Sequence, residues 1–203
     1  MTYEAFLASK TRVTHPAGFD VDGPLHPMLF DFQEAMTRWA LKRGRCAIFA
    51  RYGLGKTPMQ LVWADHVARH EGKPVLIFAP LAVSKQTARE GIKFDIPVMI
   101  CESSDDIRPG VNITNYEKMH KFTPGGLAGV VLDESSILKA FSGKYRRQLT
   151  EFGRGIPYRL CATATPAPND IIEISNHSEF LGIMTGKEVI ALFFVQDGNT
   201  THA

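Results

Sequence analysis

Cysteine is scarce in this sequence. Cys46, Cys101 and Cys161 are the three cysteines of 203 residues, and they lie far apart. Two of them sit in apolar, strand-like runs. This usage argues against a disulfide or zinc framework and reads as buried thiols in a reducing compartment. The seven histidines are scattered without ligand spacing, so no structural metal is expected. No apolar stretch approaches the roughly 20 residues that a membrane span needs. The first residues, "MTYEAFLASKTR", hold no long apolar segment of the signal-peptide kind. The expected compartment is the cytoplasm. Neither sign of charge is in excess. A net charge of +2 says little about partners, because nucleic-acid binding depends on clustered charge more than on the total. Internal repeats and low-complexity segments are also missing.

What is present is an ordinary globular composition, long enough for one sizeable core with an extra arm. Residues 1–27 read as that arm. Tyr3, Phe6 and Leu7 suit one short amphipathic helix, and "THPAGFDVDGPLHP" reads as a loop. Residues 28–185 form the main domain, and 186–203 read as a C-terminal tail or the stump of a linker. A helical pattern spans Phe30–Lys42, with Phe32, Ala35, Met36, Trp39 and Ala40 near one face.

Short apolar runs then alternate with helical stretches. The expected strands are Cys46–Ala50, Val75–Ala79, Val98–Cys101, Val111–Thr114, Gly129–Leu132 and Tyr158–Ala162. The expected helices are Thr57–Glu71, Val83–Ile92, Ser142–Phe152 and Asn169–Leu181. Runs such as "VLIFA" and "GVVLD" are nearly continuous hydrophobics, as strands buried on both faces of a parallel sheet are. The alternation argues a three-layer α/β fold with a mainly parallel central sheet.

"ARYGLGKT", Ala50 to Thr57, stands between an expected strand and an expected helix. A triphosphate carries dense charge and is met best by donors already in place. Gly53 and Gly55 let the chain curl so that its N–H groups, with that of Leu54, turn inward. The helix starting at Thr57 points its N-terminal dipole at the same spot. Lys56 would reach the β and γ phosphates and the Thr57 hydroxyl would ligate Mg²⁺, as in a P-loop. The first glycine of the general pattern is Ala50 here.

"GVVLDESS" supplies the carboxylates that hydrolysis needs, at a strand's C-terminal end. Asp133 would hold Mg²⁺ and Glu134 would orient and deprotonate water. In "LCATATPAPND", Thr163 and Thr165 end a further strand. Their hydroxyls could bond the acidic pair and couple it to the γ-phosphate.

Together these pieces resemble the first RecA-like lobe of superfamily 2 helicases, and within them the Swi/Snf-type DNA translocases and their phage-encoded relatives. The resemblance covers about Leu29 to Gly182. Motif I is "ARYGLGKT", motif Ia "APLAVSKQTAREGIKF", motif Ib "ITNYEK", motif II "LDESSILKA" and motif III "ATATPAPND". "TPAPNDIIEISNHSEFLG" is similar to the family's Thr-Pro-x-x-Asn-x-x-x-Glu-Leu signature, with Asn169 and Glu173 in register. Gln33 in "LFDFQ" stands where the family's adenine-reading glutamine sits. The resemblance implies an ATP- and Mg²⁺-dependent hydrolase coupled to movement on DNA. It implies backbone contacts to DNA from Pro80, Leu81, Ser84 and Lys85, and from Thr114, Asn115 and Tyr116, with little sequence preference. Lys139 joins them at the head of a basic run with Lys144, Arg146, Arg147, Arg154 and Arg159. Such a run also suits a solvated helix face. The host cytoplasm is the expected location of a phage-encoded form.

Three departures matter. Motif II ends Ser-Ser, so Ser136 replaces a larger residue and a looser link to motif III is expected. Arg51 and Tyr52 are bulky in a loop of small residues, and Tyr52 suits one wall of the pocket. The family works with two such lobes, the second supplying arginine fingers often worth about 10³–10⁵ in rate. Here about twenty residues follow the last expected helix. The expectation is a piece of a longer chain, or a second lobe arriving on another chain, with slow turnover alone. Two other readings stay open. One is a non-catalytic half-module binding nucleotide and nucleic acid. The other is a small-molecule P-loop kinase, with the Lys139–Arg159 run as its lid.

Overall fold

All five residues of Val75–Ala79 are buried, and they face two ways. Val75, Ile77 and Ala79 join one apolar cluster with Ile48, Leu61, Trp63, Val67 and Leu160. Leu76 and Phe78 join another with Leu132, Leu138, Leu149, Phe152 and Phe180. Side chains alternate across a pleat, so an unbroken apolar strand is stable only where both faces are covered.

The computed structural model describes residues 16–139, 143–196 and 201–202. The helix expected around Tyr3, Phe6 and Leu7 lies outside the described residues. In chain order the elements are α1 (Asp31–Arg43), β1 (Arg45–Phe49), α2 (Lys56–Glu71), β2 (Val75–Ala79), α3 (Ser84–Lys93), β3 (Val98–Ile100), β4 (Val111–Asn115), β5 (Gly129–Asp133), α4 (Lys144–Gly153), β6 (Tyr158–Thr163), α5 (Ile174–Leu181), α6 (Gly186–Phe193), β7 (Val195–Gln196) and β8 (Thr201–His202). Short 3₁₀ turns lie between them, among them Tyr116–Lys121, Ser135–Lys139 and Ile171–Glu173.

Six strands form one sheet in the order β1-β6-β5-β2-β4-β3, and each neighbouring pair is parallel. Side chains of α1 and α2 cover one face; those of α4 and α5 cover the other. This is the three-layer α/β arrangement expected of a RecA-like domain. Each expected strand is found within one residue at either end. The Asn169–Leu181 stretch differs from the single helix expected. Asp170 accepts the Ile172 N–H and caps a separate 3₁₀ turn, after which α5 begins. The segment expected as tail opens with α6, whose start is closed by a capping box between Thr185 and Glu188.

The strand order positions everything that follows. β6 lies between β1 and β5, so the segments leaving β1 and β5 emerge on the same rim, one strand apart. In register, Phe49 pairs with Thr163 and Asp133 with Ala162.

Candidate active site

The chain leaves β1 as a curl. Gly53 and Gly55 take left-handed backbone, with φ of +80° and +73°, which glycine adopts without a Cβ clash. Gly55 is also the N-cap of α2 and places no side chain over the helix's first N–H groups. Those donors and the helix dipole face the space inside the loop. The loop is braced from behind. Gln33 Nε2 donates to the Leu54 carbonyl at 3.1 Å, and Gln33 Oε1 accepts the Phe30 N–H at 3.0 Å. Gln33, expected at adenine, is therefore 4% exposed and wedged between α1 and the loop.

A Cβ on Gly55 would stand 2.1 Å from Gln33 Nε2, whereas one on Gly53 meets nothing within 4 Å. Gly55→Ala is expected to break the brace and strain the backbone. The expected loss is about 1–2 kcal/mol of stability, together with weaker binding of polyphosphate. Thermal melting and calorimetry read the two effects. Gly53→Ala is expected to show backbone strain alone.

Lys56 Nζ donates to the Ala50 carbonyl at 3.1 Å and lies 5.1 Å from the centroid of the exposed Tyr52 ring. Thr57 follows, half-buried, in the first turn of α2. Across the rim, Asp133 is buried. Its Oδ1 accepts Gln60 Nε2 at 2.8 Å and the Glu134 N–H at 3.1 Å. Burial holds the Asp133 carboxyl above the usual carboxylate range; the Gln60 amide and the Lys56 charge oppose this, and the Glu134 charge adds to it. Gln60 escaped the sequence reading. Its signal was its place one turn beyond Lys56, on the same helix face.

Glu134 takes φ +50°, and its Oε2 accepts the Thr163 hydroxyl at 3.4 Å. The Thr165 N–H donates to Thr163 Oγ1 at 3.1 Å. The acidic pair thus touches the end of β6 directly, through Thr163. The contact is a long one for two oxygens, and Ser136 takes no part in it. Ser136 is half-buried and lines a different cleft. Its neighbour Ser135 is buried and bonds His177 Nε2 at 3.1 Å. The Asn169 side chain donates to Glu173 Oε1 at 2.8 Å and its N–H to Glu173 Oε2 at 3.2 Å, closing the connection from β6 to α5.

The curl and the acidic pair enclose one cleft of about 450 Å³. Tyr52, Gly53, Gly55, Lys56, Thr57 and Pro58 form one side, with Asp133 and Glu134 opposite. Val83, with Gln86 and Glu90 of α3, completes the lining; all three lie in the stretch read as motif Ia, which was expected to face DNA.

Other expected contacts are corrected by burial. Thr114, Asn115 and Tyr116 are only 1%, 4% and 3% exposed, because β4 is an inner strand whose end is covered. Asn115 Oδ1 caps the following 3₁₀ turn through the Lys118 N–H, and the Tyr116 hydroxyl donates to the Asp133 carbonyl at 2.6 Å. These side chains are not surface groups. Pro80 is half-buried, and Lys85 and Lys139 are exposed. The basic run does not form one face either. Arg146 pairs with Glu179 at 2.6 Å, Arg154 pairs with Glu151 at 3.1 Å, and Arg159 is buried.

His177 carries a pH dependence. Burial pushes its pKa down to about 4, against the pull of Glu173. In the unfolded chain an imidazole titrates near 6.5. Above that pH both states are neutral and this stability is fully present. Between about 6.5 and 4 the unfolded chain takes up a proton that the folded chain refuses. Stability is expected to fall by about 3 kcal/mol across that window. Asp133, shifted upward by burial, works in the opposite sense. Denaturant titrations from pH 7.5 to 4 should show the slope, and His177→Gln should flatten it.

No protein-family model and no curated protein matches this chain. Solved structures do. The SWI2/SNF2 ATPase core of Sulfolobus solfataricus, in complex with dsDNA, superposes with a TM-score of 0.68 at 19% identity, covering 88% of this chain and 41% of that one. The UvsW helicase from bacteriophage T4 superposes with a TM-score of 0.61 at 11% identity, covering 91% of this chain and 66% of that one. The chain thus spans well under half of the first and about two thirds of the second. At these identities the likeness is one of fold. Among the described residues no helix is long and apolar enough to cross a membrane. With its all-parallel six-stranded sheet and covered faces, the chain has a three-layer RecA-like fold, similar to that of the SWI2/SNF2 ATPase core and the UvsW helicase on which it superposes.

Proposed function

We propose that this chain binds Mg-ATP in the cleft between the glycine curl and the acidic pair. Paired with a second RecA-like lobe, in cis or in trans, it hydrolyses ATP to move on or remodel DNA. One observation carries the reading: Gly53–Thr57 and Asp133–Glu134, eighty residues apart in round figures, line the same cleft.

Each residue has a role that follows from its chemistry. The N–H groups of the curl meet phosphate oxygens. Lys56 exchanges the Ala50 carbonyl for the β and γ phosphates. Glu134 accepts the proton of the attacking water, and Thr163, with Thr165 behind it, reports the state of that carboxylate to β6. Gln33 holds the loop; its second amide hydrogen and free lone pair are what an adenine edge would engage. Magnesium suits the donor set, since Thr57 and Asp133 offer hard oxygens. When bound, it supplies charge neutralisation at the phosphates.

The DNA partner is supported by the fold and by the dsDNA held by the Sulfolobus neighbour. Pro80, Lys85 and Lys139 remain the candidate contacts. Lobe boundaries at 28–185, with 186–203 leading toward the second lobe, belong to the same reading. A kinase lid is less well supported, because Arg146, Arg154 and Arg159 are engaged within the fold.

Calorimetry with Mg-ATP, and phosphate release with and without DNA, test the proposal. Binding is expected, with slow turnover and little stimulation until a second lobe is added. Fast, DNA-independent turnover by this chain alone would contradict it. Bound nucleotide and DNA without turnover, even with a second lobe, would leave a binding half-module.

A further inference from the structure

Tyr116 stood among the expected DNA contacts, yet it is buried. Its hydroxyl donates to the Asp133 carbonyl at 2.6 Å. That carbonyl belongs to the peptide joining Asp133 to Glu134, and the N–H of the same peptide donates to Asp133 Oδ1 at 3.1 Å. One peptide unit is therefore held at both ends.

Beyond it, Glu134 takes φ +50°. A residue with a side chain occupies this left-handed region only where its surroundings enforce it. The ψ of Asp133 and the φ of Glu134 together orient this peptide plane, so a donor that holds its carbonyl also holds Glu134 in the left-handed conformation. Turning the plane over would relieve the strain and release the backbone from which Glu134 reaches Thr163. There is space to receive it. Glu134 lines the nucleotide cleft, and it also lines a second cleft of about 340 Å³ with Pro80, Tyr116, Lys139 and Tyr145. Glu134 thus stands in the wall between the two clefts.

We propose that Tyr116 is a positioning residue, whose hydroxyl fixes the Asp133–Glu134 peptide so that the Glu134 carboxylate faces the nucleotide cleft. This rests on the reading of Glu134 as the base for water. Tyr116 does not line the nucleotide cleft and acts through Glu134. Without the hydroxyl, the buried carbonyl loses its donor and the strained conformation loses its clamp.

Tyr116→Phe in the full chain tests this, because the ring keeps its place against Phe78, where the centroids are 6.0 Å apart. The first readout is the φ of Glu134, from scalar and residual dipolar couplings. It is expected to be positive in the parent and negative or averaged in Tyr116→Phe. The second is kinetic. The kcat is expected to fall about tenfold or more, with KM for Mg-ATP changed by less than about twofold. In a Glu134→Gln background the same change is expected to add nothing, since the base is already gone. A tyrosine that only packs would lower stability and leave φ and kcat alone. A positive φ retained in Tyr116→Phe, with kcat within about twofold of the parent, overturns the proposal. If the parent fails to bind Mg-ATP the nucleotide reading falls, while the couplings still decide whether Tyr116 holds the peptide.

Discussion

Glu134→Gln is expected to leave Mg-ATP bound and to slow its hydrolysis by about 10²–10⁴-fold. The amide has the carboxylate's shape, and its oxygen can still accept the Thr163 hydroxyl that lies 3.4 Å from Glu134 Oε2. What it loses is basicity: an amide cannot take the proton of an attacking water. Lys56→Ala should fail in the opposite way. The ammonium rests on the Ala50 carbonyl and under the Tyr52 ring, so its removal disturbs little packing. It withdraws the side-chain cation from the curl's side of the cleft, and binding rather than chemistry should weaken. The two variants are distinguished by calorimetry, which reads affinity, and by single-turnover phosphate release, which reads the chemical step. A Glu134→Gln protein that turns over like its parent would remove Glu134 from the mechanism. Normal binding by Lys56→Ala would remove the curl.

The second large effect concerns stability and lies away from the cleft. Arg159 is 4% exposed, and its guanidinium donates to three carbonyls: Ile156 at 2.9 Å, Phe180 at 2.8 Å and Arg154 at 2.8 Å. It joins the start of β6 to the end of α4 and to the end of α5. Burial pushes its pKa down to about 10, with the neighbouring Arg45 charge adding to the shift, so it remains protonated at neutral pH. Arg159→Met keeps the length of the side chain and leaves those carbonyls without donors. The expected loss is about 3–5 kcal/mol, or roughly 10 °C in melting temperature for a chain of this size. Arg159→Lys should recover only part of it, because an ammonium lacks the planar fork that reaches three acceptors at once. A shift of a degree or two in Arg159→Met would mean that the carbonyls find water instead.

Arg159 shows why part of the molecule was illegible in one dimension. In the sequence it is both the last member of a basic run and the second residue of an expected strand, two readings that pull its charge in opposite directions. Its burial depends on carbonyls contributed by α4 and α5, which no local pattern announces. Thr114, Asn115 and Tyr116 failed in the same way. The resemblance implied that they contact DNA, but β4 has a neighbour on each side and all three residues are buried. Gln33 kept its place at the loop, but its bond to the Leu54 carbonyl is a brace that no local pattern announces. By contrast, the strands were legible because burial on both faces leaves an unbroken apolar signature. The curl was legible because positive φ at 53 and 55 all but requires glycine.

Periodicity and backbone chemistry therefore determined, from the sequence alone, the six strands of the sheet, the layered class and the two segments rich in phosphate- and metal-seeking groups. Both are local properties, written in which residues stand next to which. Only the tertiary structure decided that a single strand, β6, separates β1 from β5, that the curl and the acidic pair share one cleft, and that Tyr116 turned inward to the Asp133 carbonyl. Those outcomes depend on strand order and on side chains meeting across dozens of residues, and distance along a chain carries no record of distance in space.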